Sequence, residues 1–220
     1  MRDETIEAFL SQLAARIPAP GGGATAALHA AQSAALVAMV ARYSNGARYD
    51  TELMARVFTE ADRLRDEALT LAEADVAAFG AVSAAYQLPK ETAELRAARS
   101  VAIAQALTGA ARPPAAVIRT ALSLIELAEE LLPAGNRNVI TDVAAAAEAA
   151  RAAAVTARVN IEVNLRGIND APVKDGASVK DGAPVKDAAK AELIATAAVT
   201  DEIVARADRI VAAVREEIAR

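Results

Sequence analysis

The stretch LRDEALTLAEADVAAFGAVSAAYQLP, residues Leu64–Pro89, decides the fold. Apolar or small residues at Val57, Ala61, Leu64, Ala68, Leu71, Ala78, Val82 and Ala85 recur three and four apart, the spacing of one face of a helix. Asp75 stands on the same stripe. A carboxylate on a core-facing stripe loses hydration, which favours its neutral form and raises its pKa unless a cation or hydrogen-bond donors compensate. Such a group is prepared to act as a general acid or base; the competing role is a buried Asp that ties helices together through hydrogen bonds.

Composition agrees with the helix. The 220 residues are 54% hydrophobic but only 3% aromatic, and Ala is the commonest type. Alanine has the best helix propensity and lets helix axes approach closely, so one all-α domain over residues 1–220 is expected, with thin and tight interfaces. A net charge of −5, from 24 basic and 29 acidic residues, gives no general attraction to nucleic acid or to an anionic membrane. The absence of cysteine excludes disulfides, thiolate metal sites and a catalytic thiol, and suits a cytoplasmic setting. Met1–Leu10 carries Asp3, Glu4 and Glu7, which does not fit a signal peptide. Ala24–Ala41 has little charge, but it is mostly Ala interrupted by His29, Gln32 and Ser33, and reads as a buried helix of a soluble protein.

Upstream of the central stretch, Asp3–Ala15 fits an amphipathic helix with Ile6, Phe9, Leu10 and Leu13 on one side, capped by Asp3 or Thr5. Pro20, Gly21, Gly22 and Gly23 then turn directly into a helix ending near Tyr43. Glycines let backbone approach a ligand, and the free N–H groups of the helix start can hold an anion or carbonyl; the alternative is a tight reversal into a buried helix. The turn is neither a Walker A loop nor GxGxxG, so nucleotide binding is not supported. His29, Gln32 and Ser33 share a face and read as a polar patch at a helix contact. The long helix is expected from Asp50 to Gln87, well over 50 Å at roughly 1.5 Å per residue, and Leu88, Pro89 and Lys90 end it.

Downstream, Glu91–Arg112 and Ala115–Leu132 read as helices separated by Pro113 and Pro114, with a turn at Pro133–Asn138. The last core helix begins near Asn138 or Thr141 and runs to Asn169. Asn160 and Asn164 lie one turn apart on it and point the same way, while Asp142 shares their azimuth from about 27 Å away. Residues 171–187 repeat APVKDG, ASVKDG and APVKDA, three copies that are too few for a solenoid, so a surface loop is expected. A closing helix from Ala188 is expected to bury Leu193, Ile194, Val199, Ile203, Ile210 and Val214.

Taken in order, Pro20-Gly21-Gly22-Gly23, Asp75-Val76-Ala77-Ala78-Phe79, Leu88-Pro89-Lys90, Gly135-Asn136 with Asp142, and Asn160 with Asn164-Leu165-Arg166 closely resemble the formiminotransferase-cyclodeaminase C-terminal family, which includes stand-alone bacterial methenyltetrahydrofolate cyclohydrolases. The resemblance covers about residues 5–170 and thins over the KDGA repeat. It implies a homodimeric bundle of about six to seven long helices that binds folate, polyglutamylated or not, in a cleft between helices and subunits, with no metal or redox cofactor. It implies conversion of 5-formimidoyl-tetrahydrofolate to the 5,10-methenyl form plus ammonia, or hydrolysis of the methenyl form to 10-formyl-tetrahydrofolate. The family's proposed proton donor and acceptor falls on Asp75. Pro20, Gly21, Gly22, Gly23, Phe79, Asp142, Asn160 and Asn164 become candidate substrate contacts, and Lys90 and Arg166 candidate partners for glutamate-tail carboxylates. Cyclohydrolase is placed first because no formiminotransferase domain is fused to the chain; cyclodeaminase, or a non-catalytic helical dimer that binds folate or a partner, are the alternatives.

Overall fold

The computed structural model describes residues 2–170 and 183–220, and among them every regular element is helical. The order is α1 (Ile6–Ala14), α2 (Gly22–Tyr43), α3 (Thr51–Tyr86), α4 (Ala93–Ala110), α5 (Arg112–Ala134), a 3₁₀ turn (Arg137–Val139), α6 (Ile140–Asp170) and α7 (Ala183–Ile218). Six long helices and one short one match the expected bundle. Asp50 starts α3 by accepting the N–H groups of Glu52 and Leu53, each at 3.0 Å, and the 36 residues that follow span about 54 Å.

The centre of the bundle is α2. Its Ala24, Ala26, Ala27, Ala30, Ala34 and Ala38 are buried against α3, α5 and α6, where Ala61, Ala68 and Ala72 and Ala146, Ala150, Ala153 and Ala157 meet them. Small side chains dominate these contacts, so the helices lie close. Larger side chains, among them Leu64, Ile118, Leu124, Ile125, Leu131, Ile161, Ile203 and Ile210, complete the core. Ser33 is fully buried and donates to the Ala146 carbonyl at 2.8 Å, which fixes α2 against α6. His29 stays outside with Gln32, Nδ1 to Oε1 3.4 Å, so the expected three-residue polar patch divides between the core and the surface. Arg206, mostly buried, joins α7 to α5 by donating to both carboxylate oxygens of Glu129 at 3.0 and 2.6 Å.

Several expectations are corrected. α1 starts at Ile6 rather than near Asp3, with Thr5, one of the two expected caps, accepting the Ala8 N–H; no residue of it is buried, Phe9 and Leu13 being half-buried while Ile6 is 80% and Leu10 55% exposed, and Arg2 before it bonds Asp66 and Thr70 on α3. Pro113 and Pro114 sit inside the first turn of α5, where their missing N–H groups cost nothing, and Pro133 lies in its last turn rather than beyond it. On α7, Leu193, Ile203, Ile210 and Val214 are buried and Val199 packs on the core, but Ile194 is 52% exposed. That helix begins at Ala183, not Ala188; residues 171–182 of the expected surface loop lie outside the described residues.

The Gly135-Asn136 pair turns out to be a clamp. The Asn136 Nδ2 donates to the Tyr43 carbonyl at 2.8 Å, its Oδ1 accepts the Asn138 N–H at 3.0 Å, and its own N–H donates to Ser44 Oγ at 2.8 Å. These bonds tie the end of α2 to the start of α6. Asn136→Ala is therefore expected to lose about 1–3 kcal/mol of unfolding free energy, read as a lower urea midpoint at an unchanged m-value. A midpoint equal to the parent's would show that the clamp is dispensable.

Candidate active site

α2 runs antiparallel to both α3 and α6: Gly23 lies beside Asp75 while Arg42 pairs with Asp62, and Gly22 lies beside Asn160 while Ser33 bonds Ala146. The start of α2 therefore falls partway along its neighbours. Beyond that level α3 continues from Asp75 to Tyr86 and α6 from Asn160 to Asp170, each for about 15 Å. A second, smaller cluster of Val82, Ala85, Ile103, Leu107 and Ala110, with Ile168 against it, packs α4 onto this overhang. The result is a groove whose end wall is the glycine turn and whose sides are α3 and α6.

The Asp75 carboxyl occupies the space where Gly23 has no side chain. A Cβ on Gly23 would fall 2.0 Å from Asp75 Oδ1 and 2.4 Å from its Cγ, so any other residue there would displace the acid. The Ala24 N–H, in the first turn of α2, hydrogen-bonds the carboxylate. Burial pushes the Asp75 pKa above the ordinary carboxylate value, and the Ala24 amide opposes this as the smaller effect. No side chain caps the start of α2, and the Gly22 and Gly23 amides have no partner within the helix. The turn is held instead by Thr25, whose N–H and Oγ1 both donate to the Gly21 carbonyl at 3.0 Å. The Ala19–Pro20 peptide at its entrance is cis.

On the α6 side, a Cβ on Gly22 would stand 3.5 Å from Asn160 Nδ2 and 4.0 Å from Thr156 Cγ2. Asn160 Nδ2 donates to the Thr156 carbonyl at 2.8 Å; a carbonyl can only accept, which fixes the amide so that its Oδ1 is left for a ligand. Asn164 follows one turn further, half-buried.

The structure thus brings Pro20, Gly21, Gly22, Gly23, Asp75 and Asn160 together at one end of α2, with Phe79 one turn beyond Asp75, 46% exposed over the groove. Other candidates lie apart. Lys90 is exposed in the turn beyond α3, its carbonyl held by Arg96 Nη1 at 3.3 Å, a whole overhang away from Asp75. Arg166 is about 120° around α6 from Asn160 and so does not share its face. Asp142, in the first turn of α6, stays about 27 Å from Asn160 along the axis. The groove at Asp75 is open: Gly22 and Phe79 are exposed, and added Cβ atoms on Gly21 and Gly80 would meet nothing within 4 Å. A cavity of ≈ 410 Å³, lined by Arg48, Tyr49, Asn136 and Arg137 among others, lies at the other end of α2, about 30 Å away. The Ala24 amide and Thr156 were not singled out by sequence reasoning. The first is a backbone group with no sequence signal, whereas Thr156 stands one turn before Asn160 on the same face.

Two glycines two residues apart in consequence provide a paired test. Gly23→Ala is expected to eject the Asp75 carboxyl, reducing turnover about as far as loss of the acid itself and lowering thermal stability, while Gly21→Ala leaves both near the parent values. Equal behaviour of the two variants would mean that the close approach has no consequence.

A profile of the formiminotransferase-cyclodeaminase family matches residues 5–180. The chain is 41% identical over 171 residues to a methenyltetrahydrofolate cyclohydrolase of Methylorubrum extorquens, an alignment covering 76% of this chain and 82% of that protein. It is 33% identical over 176 residues to the formimidoyltransferase-cyclodeaminase of Rattus norvegicus, covering 79% of this chain but 32% of that longer protein. The crystal structure of formiminotetrahydrofolate cyclodeaminase from Thermotoga maritima superposes with a TM-score of 0.76 at 25% identity, over 98% of this chain and 96% of that one. With residues 5–180 matched by the family profile and most of its length by a 41% identical relative, the chain belongs to the formiminotransferase-cyclodeaminase family.

Proposed function

We propose that this protein is a cytoplasmic folate enzyme that hydrolyses 5,10-methenyl-tetrahydrofolate to 10-formyl-tetrahydrofolate, with Asp75 moving the protons. The observation that carries this reading is the Asp75 carboxyl itself, half-buried, raised in pKa, and set against the open end of α2. The 41% identical cyclohydrolase relative supports the choice of reaction.

The chemistry runs as follows. Water adds to the electrophilic methenyl carbon and gives up a proton to the Asp75 carboxylate, forming a tetrahedral carbon bonded to N5, N10 and a hydroxyl. The C–N5 bond then breaks as N5 takes the proton back from Asp75, and the hydroxyl proton leaves to solvent as the formyl C=O forms on N10. A carboxyl whose pKa is raised by burial serves both transfers better than an ordinary one. The unpartnered Gly22 and Gly23 amides, at the positive end of α2, are placed to hold the oxygen that gathers negative charge in the adduct. Asn160 and Asn164 orient the pterin, Phe79 covers it, and Lys90 at the far end of the overhang receives tail carboxylates, with Arg166 a second cation for the same purpose.

The same groups serve the deamination of 5-formimidoyl-tetrahydrofolate, in which N10 closes on the formimidoyl carbon and ammonia leaves after protonation. The solved cyclodeaminase with the same fold favours this as the second reading. Neither reaction as drawn calls on a metal or redox cofactor.

The reading includes a homodimer. Val155, Val159 and Val163 are 42%, 58% and 60% exposed in one stripe on α6, next to the Asn160 face, and a second copy laid there would cover the open groove. It would also offer a place for its own Asp142, which one protomer leaves far from the site.

Asp75→Asn is expected to lower kcat/KM by at least about 100-fold on methenyl-tetrahydrofolate; full activity in this variant would exclude Asp75 as the proton carrier, and ammonia release only from formimidoyl-tetrahydrofolate would reverse the order of the two reactions. Because burial raises the folded-state pKa of Asp75, the acidic limb of kcat/KM is expected above the ordinary carboxylate range. The same shift gives stability that is present at low pH and lost as pH rises through the folded-state value. At neutral pH the Asn variant should therefore be at least as stable as the parent, and a large drop in its melting temperature would instead mark Asp75 as structural. Val159→Glu should yield monomers by sedimentation together with loss of turnover; dimers at parental activity would place the interface elsewhere.

A further inference from the structure

We infer that Thr156 is a further substrate-orienting residue, its hydroxyl pairing with Asn160 Oδ1 to read the lactam edge of the pterin ring. This rests on the proposed folate activity and adds to it a residue that sets specificity.

Threonines within helices ordinarily spend their hydroxyl on their own helix. In this protein Thr25, Thr70, Thr108, Thr120 and Thr196 all do so, each Oγ1 donating to the carbonyl four residues back at 2.8–3.2 Å. Thr156 is half-buried and, like Thr59, Thr141 and the buried Thr200, makes no such bond among the described residues; of these four it is the one that stands against the glycine turn. Its methyl faces the glycine turn, with Cγ2 4.0 Å from the place a Gly22 Cβ would take, so the hydroxyl occupies the other branch of the side chain. The Thr156 carbonyl is also the group that fixes Asn160, by accepting its Nδ2 at 2.8 Å.

The consequence is a donor and an acceptor on adjacent turns of one helix face: Thr156 Cγ2 and Asn160 Nδ2 face the glycine turn, and the hydroxyl and Oδ1 are the branches left for a ligand. Thr156 O–H can donate, and Asn160 Oδ1, whose orientation is fixed by the bond from Nδ2 to the Thr156 carbonyl, can only accept. A ring edge with a carbonyl next to an N–H answers this pair: the pterin C4 carbonyl takes the hydroxyl proton and N3–H donates to Asn160 Oδ1. A 4-amino pterin presents the reverse order on that edge, an amino donor beside an unprotonated N3, and leaves Asn160 Oδ1 facing a lone pair. Discrimination of this kind is strong because the mismatched polar groups lose their water without gaining a partner.

The test uses the full-length protein and two conservative variants. Thr156→Val keeps the shape and the methyl contact with Gly22 and removes the hydroxyl; Thr156→Ser keeps the hydroxyl. The Val variant is expected to raise KM for 5,10-methenyl-tetrahydrofolate about three- to tenfold, with a smaller change in kcat, an unmoved acidic limb and an unchanged melting temperature. It should also narrow the preference for inhibition by a 4-oxo over a 4-amino reduced pterin, and the Ser variant should restore both. With the parent active, a Val variant of unaltered KM and unaltered 4-oxo preference overturns the role of Thr156 while leaving the folate activity standing. Failure of Ser to rescue a defective Val variant overturns it as well, since the defect would then belong to packing. A parent protein that turns over neither folate overturns both readings together.

Discussion

Everything at the site depends on the empty side-chain position at Gly23. Because nothing projects there, the first turn of α2 comes within bonding range of a carboxyl on α3, and the Ala24 N–H meets Asp75. Either partner alone would be poorly placed: a helix start without a cap leaves amides unsatisfied, and a half-buried carboxyl without donors is driven toward neutrality. Together they compensate in part. One amide is satisfied, the acid keeps a raised pKa, and the Gly22 and Gly23 amides remain for a ligand.

Bringing α2 to this position is the task of the alanines. Contacts built from methyl groups set the helix axes close together and leave little room for a side chain to repack, so the position of the α2 start follows from the whole length of its contact with α3 and α6. The far end of α2 is fixed by hydrogen bonds instead, through Ser44 and Asn136. A helix anchored at its C-terminal end by polar bonds and along its body by small residues presents its N-terminal end at a fixed level. There α3 and α6 run on past it, and the step in length between the helices is the groove.

The parts of this arrangement that are local in the chain were legible in the sequence. The stripe from Val57 to Ala85 repeats with the helix period, and Asp75 announces itself as the acid within it; Asp50, Thr5 and the glycine turn mark helix starts by composition alone. What depends on the relation between helices was not legible. That Gly23 rather than Gly21 faces the acid, that Ala24 donates to it, and that Ser33 parts from His29 and Gln32 follow from how α2 is rotated against its neighbours. The exposed Ile6, Leu10 and Ile194 fit an amphipathic pattern that one protomer does not bury, because helix periodicity names an apolar face without naming what covers it. The Gly135-Asn136 pair was legible as a motif, but its use as a clamp on the end of α2 needed the partners Tyr43 and Ser44 from ninety residues away.

A single amide on Asp75 also suits the proton-carrying role proposed for it. A carboxylate accepting several N–H groups is held ionised and becomes a poor proton donor, while a fully buried one with none is held neutral and becomes a poor base. Asp75 lies between these limits: burial is the larger influence and raises its pKa, and one backbone donor opposes it. The donor is part of a helix that the alanine contacts hold in place, and it cannot follow the carboxyl if the side chain rotates. A carboxyl placed against a fixed dipole in this way has its proton affinity set by burial on one side and by that dipole on the other, and both follow from how α2 is seated against α3.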